Sequence, residues 1–227
     1  MATYRVLVGG SGAIDGKYVF ASEAQKENFL FSINLPEYRG EQFIYDGHKL
    51  FAAKTYMDKT RSEFGDFLFA QDVGFRENLL GGVWSADWPL LDAESCKPKL
   101  RYQGSKKVAG QDLLALRYWP KHGSDLDITL YFDPQTYQHV LTIYKVTRAS
   151  GIGATDVASA QLQDTRYEIR ERFSDFKPID GLTLPTHYEI GFTEELENGF
   201  TKSVQWEVRA SNIKNNLSID PQTFQVK

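Results

Sequence analysis

The sequence predicts a mainly β fold: one large curled antiparallel sheet, forming an open, incomplete β-barrel, with a short helical insertion covering its apolar face. Three observations carry this prediction. Apolar and polar residues alternate through long stretches of the second half, the pattern of a sheet with one face buried and one in water. Turn dipeptides recur between the apolar runs. Aromatic residues, which favour strands, make up 14% of the chain, with 15 Phe and 12 Tyr. A chain of 227 residues without a linker or low-complexity segment reads as a single domain over 1–227, a length that all-β folds reach in one unit.

The chain opens with the apolar stretch "YRVLV" running into Gly9, Gly10 and Gly12. A dinucleotide fingerprint needs a third Gly or Ala at position 15, which is Asp15, and a helix afterwards. The following "GKYVFASEA" is rich in β formers, so the glycines read as a turn between antiparallel strands. The G-x-S-x-G nucleophile elbow also fails around Ser11. Four hairpins follow from Asp46-Gly47, Ala109-Gly110, Asp180-Gly181 and Asn198-Gly199. A two-residue turn at Asp46-Gly47 places Phe43 opposite Leu50.

Residues 60–98 break the β pattern. Thr60 and Glu63 have capping-box spacing, and Phe64, Phe67, Leu68 and Gln71 have helical spacing. Gly74 ends that helix, "FRENLL" supplies another turn or two, and Trp84 and Trp88 lie in a loop or short helix. Alternation then resumes. Leu126, Ile128, Leu130 and Phe132 share one face, as do Tyr167, Ile169 and Phe173, then Tyr188, Ile190 and Phe192, then Val204, Trp206 and Val208. The phrase "DPQT" occurs twice, at 133–136 and 220–223, and reads as two similar strand-ending turns.

The net charge of −4, with Lys and Arg interspersed among Asp and Glu, lacks the basic footprint of a nucleic-acid binder. Cys96 is the single cysteine, which excludes an intrachain disulfide and a cysteine-based metal cluster. No apolar run is long enough for a membrane-spanning helix, and no signal peptide is read.

Candidate chemistry is sparse. His48, His122, His139 and His187 show no metal-ligand spacing, although His139 and His187 can converge with a carboxylate in space. Glu194, Glu195 and Glu197 flank a turn and read as a solvated loop. No catalytic residue, cofactor site or metal site is assigned. The aromatic surplus reads as the lining of a cavity on the curled sheet. Its residues are Phe64, Phe67, Leu68, Trp84 and Trp88 from the insertion, acting as a lid, and Leu130, Phe132, Ile169, Tyr188, Ile190 and Trp206 from the sheet.

The order of parts resembles the LolA/LolB-like superfamily of bacterial lipoprotein carriers, in its outer-membrane lipoprotein-sorting-protein-like branch. The resemblance is carried by "YRVLVGGSGAIDGKYVF", "NLPEYRGEQFIYDGHKLFAAKTY", "SEFGDFLF", "VAGQDLLALRYWPKHGSDLDITLYFDPQTYQHV" and "ERFSDFKPIDGLTLPTHYEI". It implies an unclosed barrel plugged by helices, an acyl chain or other lipid-like ligand, a periplasmic or envelope location with the leader removed, and an envelope protein as a partner. Departures are the absence of the family's N-terminal helix and the aromatic-rich segment around Trp84 and Trp88. The expected function is therefore a non-enzymatic binding or carrier protein. Two rivals remain: an interaction module with a filled core, and a hydrolase or isomerase built on His139 or His187 with a nearby acid.

Overall fold

The computed structural model describes residues 2–8, 14–24, 26–33, 40–54, 61–121, 123–149 and 164–225. Gly9, Gly10, Gly12, Thr60 and His122 lie outside them.

Among the described residues, one 12-stranded sheet contains every strand, and each pairing is antiparallel. The strands are β1 (Ala2–Val8), β2 (Ile14–Glu23), β3 (Lys26–Ile33), β4 (Glu41–Tyr45), β5 (Leu50–Lys54) and β6 (Lys99–Val108). They continue with β7 (Gln111–Trp119), β8 (Asp127–Phe132), β9 (His139–Arg148), β10 (Thr165–Ile179), β11 (Leu182–Glu195) and β12 (Thr201–Ala210). Their spatial order is β5-β4-β3-β2-β1-β12-β11-β10-β9-β8-β7-β6. The first and last strands pair in the middle, with Val6 opposite Trp206. The sheet is thus a meander missing one pairing, β5 with β6, and these strands are its two edges. β2 follows β1 directly and pairs with it, where a dinucleotide fold would have a helix.

Two hairpins have the expected two-residue turn. Ile179 pairs with Leu182 around Asp180 (φ 49°) and Gly181 (φ 82°), and Val108 pairs with Gln111 around Ala109 (φ 50°) and Gly110 (φ 85°). Both central residues are left-handed, which matches the twist of the strands. The Asp46-Gly47 hairpin differs: Tyr45 pairs with Leu50, and Phe43 faces Ala52 rather than Leu50. The Asp46 carboxylate accepts the amides of His48 and Lys49 at 2.8 Å, and this local bonding opens the connection to four residues. Asn198-Gly199 also sits in a longer loop, closed by Leu196 N donating to Phe200 O at 2.8 Å. The two "DPQT" segments share an aspartate that caps the turn, but the second opens a 3-10 turn at Pro221–Phe224 and ends no strand.

The helical insertion fills the chain between the two edge strands. Helix α1 is Glu63–Ala70, α2 is Val73–Arg76 and α3 is Ala93–Cys96, with a 3-10 turn at Gly82–Trp84. The cap of α1 is Ser62, whose hydroxyl accepts from Gly65 N at 3.0 Å, in place of the expected Thr60. Glu41 of β4 in turn accepts from Ser62 Oγ at 2.7 Å and Ser62 N at 3.1 Å, so a carboxylate sits at the positive end of the helix. Gly74 lies inside α2 and does not end α1. A Cβ there would stand 3.1 Å from Leu80, so close packing explains the glycine.

Alternation in the second half is as expected. Ile128, Leu130, Ile169, Phe173, Tyr188, Ile190, Phe192, Trp206 and Val208 are buried on one face. Phe64, Phe67, Leu68, Phe75, Leu79 and Leu80 of the insertion are buried against that face in the same core.

A candidate site beneath the insertion

The curled sheet presents its apolar face to the insertion, and the residues expected to line a cavity meet there. The Phe64 ring lies 4.7 Å from Trp206 and 5.6 Å from Phe192. Phe67 lies 5.5 Å from Tyr167. The Trp84 ring stands 5.1 Å from Tyr188 and 6.4 Å from Phe173 and Tyr18. Trp88 stacks on His139 at 4.9 Å. Leu68, Leu130, Ile169 and Ile190 are buried, while Phe132 and Trp84 are partly buried. In this state the insertion side chains occupy the concave face of the sheet.

The same face carries glutamates. Residues of one parity along a strand share a face. Glu27 on β3, Glu41 on β4, Glu171 on β10 and Glu194 on β11 all take the inward parity, and all are buried. Glu194 therefore belongs to the core side of β11, not to the solvated loop expected for it. Glu77 of the insertion is also buried; it accepts from Tyr118 Oη at 2.5 Å and from Lys121 N at 2.6 Å.

Glu171 and Glu27 hold the segment Gly81–Ser85. Glu171 Oε1 accepts from Gly81 N at 2.7 Å and Tyr188 Oη at 2.6 Å, and its Oε2 accepts from Tyr144 Oη at 2.7 Å. Ser85 Oγ donates to Glu27 Oε1 at 2.5 Å, whereas Glu27 Oε2 has no hydrogen-bond partner among the described residues. Burial pushes the Glu171 carboxyl up to about 7, against the hydrogen bonds that favour its charged form. Glu27 is raised well above the carboxylate range by burial, with Glu171 adding to the effect. Burial likewise raises Tyr18, Tyr144 and Tyr188, so these phenols stay protonated, and Tyr144 and Tyr188 donate to Glu171.

The two histidines of interest lie on opposite faces. His139 is buried among Trp88, Phe132 and Phe173, with Nε2 2.8 Å from Thr142 Oγ1. Burial pushes it down to about 3, so it is neutral at ordinary pH. His187 is on the outer face, with Nδ1 3.0 Å from Ser174 Oγ and Nε2 3.1 Å from Glu207. Ser174, His187 and Glu207 thus lie side by side across β10, β11 and β12. His48 is exposed in its loop. Among the described residues, no group of three or more His, Cys, Asp or Glu side chains could hold a metal ion, and no helix is long and apolar enough to cross a membrane.

No family model matches the chain, and no curated protein matches it. Its structure is similar to an outer membrane lipoprotein-sorting protein domain of Vibrio parahaemolyticus, at 11% identity and TM-score 0.45, over 98% of this chain and 87% of that one. A DUF1329 family protein of Desulfovibrio piger aligns at 14% identity and TM-score 0.40, over 99% and 87%. The Pseudomonas aeruginosa MucA/MucB complex aligns at 11% identity and TM-score 0.23, over 91% and 86%.

Proposed function

We propose that this chain is a non-catalytic binding or carrier protein for a lipid-like apolar ligand in the bacterial envelope, held on the concave face of the sheet when the insertion gives way. The observation that supports this most is the placement of residues 61–98. They belong to the chain between the unpaired edge strands β5 and β6 and cover the apolar face with side chains that an acyl chain can replace. Each buried methylene contributes about 0.8 kcal/mol, so a chain of a dozen carbons offsets much of the lost aromatic packing. The polar contacts holding the insertion, such as Gly81 N to Glu171 and Trp84 Nε1 to Pro185 O at 3.1 Å, are individually weak enough to break and reform.

The test is competition for a neutral fluorescent probe. Nile red binds the native protein, dodecanol displaces it, and Trp84 and Trp88 report the exchange through tryptophan fluorescence. If native protein takes up no probe and dodecanol leaves the tryptophans unchanged, the reading fails.

A further inference from the structure

The interior beneath the insertion contains two acidic side chains facing the same short segment. Glu27 comes from β3 and Glu171 from β10, on opposite sides of the central β1–β12 pairing, and both are 0% exposed. Neither forms an ion pair with Lys or Arg among the described residues, as the salt bridges lie elsewhere. Buried carboxylates are ordinarily paired or fully hydrogen-bonded. Glu171 is satisfied by three donors. Glu27 has one donor, and its Oε2 is buried with none. This free oxygen is a second, independent sign beyond the acidic pair itself.

Two of these donors, Gly81 N–H and Ser85 O–H, belong to the insertion. When the insertion lifts, each glutamate loses one. A replacement has to supply donors in an aromatic setting, and a positive charge there favours the ionised form of both carboxyls. Tyr18 and Tyr188 stand 6.3 Å apart beside the pair, and tyrosine faces attract a cation.

We propose that Glu27 and Glu171 recognise the head group of a cationic amphiphile: the ligand class is an apolar chain ending in a primary amine. This rests on the binding function proposed above. The ammonium donates to Glu27 Oε2 and replaces Gly81 N–H and Ser85 O–H, while the chain takes the space of the insertion side chains. A fatty acid brings no donor excess and no positive charge to these two buried carboxyls.

The experiment compares dodecylamine, dodecanol and dodecanoate as competitors for Nile red at neutral pH, below their aggregation limits. Wild type, Glu27→Gln, Glu171→Gln and the exposed control Glu23→Gln are used, with folding checked by circular dichroism. In wild type and in the control, dodecylamine binds at least about tenfold more tightly than dodecanol, and dodecanoate is weakest. Either buried substitution brings amine and alcohol within about threefold and leaves dodecanol unchanged. Equal affinity of the three compounds for wild type overturns the inference while the binding function stands. An amine preference that survives in both buried variants, or falls equally in Glu23→Gln, assigns it to surface charge and also overturns the inference. If no dodecyl compound binds, the binding function itself fails. The wild-type comparison decides the matter even if a buried variant does not fold.

Discussion

Replacing Gly82 by alanine tests whether the Gly81–Ser85 segment is seated as described. Gly82 has φ +51°, a left-handed conformation that costs a non-glycine residue about 1–2 kcal/mol. An added Cβ would stand 2.8 Å from Phe173 Cζ and 2.9 Å from His139 Nδ1. Neither ring can swing aside easily, since their centroids are 4.9 Å apart and both are buried. Such overpacking costs about 1–3 kcal/mol, so Gly82→Ala loses about 2–5 kcal/mol in all. Gly81, at φ +77°, separates the two causes, because its Cβ would meet Phe20 and Phe29 only at an ordinary 3.4 Å. Gly81→Ala therefore loses only the backbone part, about 1–2 kcal/mol. Urea unfolding at unchanged m-value measures both. A loss at Gly82 below about 1 kcal/mol, or no larger than at Gly81, refutes the packing of this segment on Phe173 and His139.

Other outcomes follow from the same geometry. Gly65→Ala in α1, normally stabilising by about 1 kcal/mol, is instead destabilising, since its Cβ would come within 2.4 Å of Glu41 Oε1, which holds Ser62; a rise in melting temperature contradicts this. Tyr118→Phe costs about 1–3 kcal/mol by leaving buried Glu77 without its phenol donor, measured by urea unfolding against a Tyr118→Phe/Glu77→Gln double variant that recovers part of the loss. The Glu171 carboxyl, raised from 4.5 to about 7, contributes stability that is full below the unfolded value and lost as pH rises through about 7. The stability of wild type relative to Glu171→Gln therefore falls across this window, and a flat difference in urea midpoints counts against the burial of Glu171. His139, lowered from 6.5 to about 3, works in the opposite sense: its contribution is present above the unfolded value and is lost as pH falls towards 3. Its ring resonances stay fixed between about pH 5 and 8, and a titration near 6.5 contradicts its burial.

Much of the fold was legible because strand alternation and turn chemistry are local. The Asp180-Gly181 turn needs only two left-handed residues, and both are written in the sequence. Asp46-Gly47 misled because the aspartate had a competing local use, bonding the amides of His48 and Lys49. Thr60 and Ser62 are both competent caps, and the choice of Ser62 depends on Glu41, a residue brought there only by the folded sheet. The buried glutamates had a readable sign. Glu171 falls between Ile169 and Phe173 on their face, and Glu194 follows Phe192 on the same parity. Alternation drawn from apolar residues alone passes over a charged residue of the correct parity. That Glu171 meets Gly81 was not readable, since 90 residues separate them and only the folded sheet brings them together.

The measurement closest to the central claim is hydrogen exchange across residues 62–91, with and without dodecanol. If an apolar ligand displaces the insertion, these amides exchange faster than those of β8 and β12 in the free protein. Saturating dodecanol then speeds them further, above all at Gly81, whose N–H is held by Glu171. Equal protection of the insertion and the two strands, unchanged by the alcohol, contradicts the account and leaves residues 62–91 as fixed core.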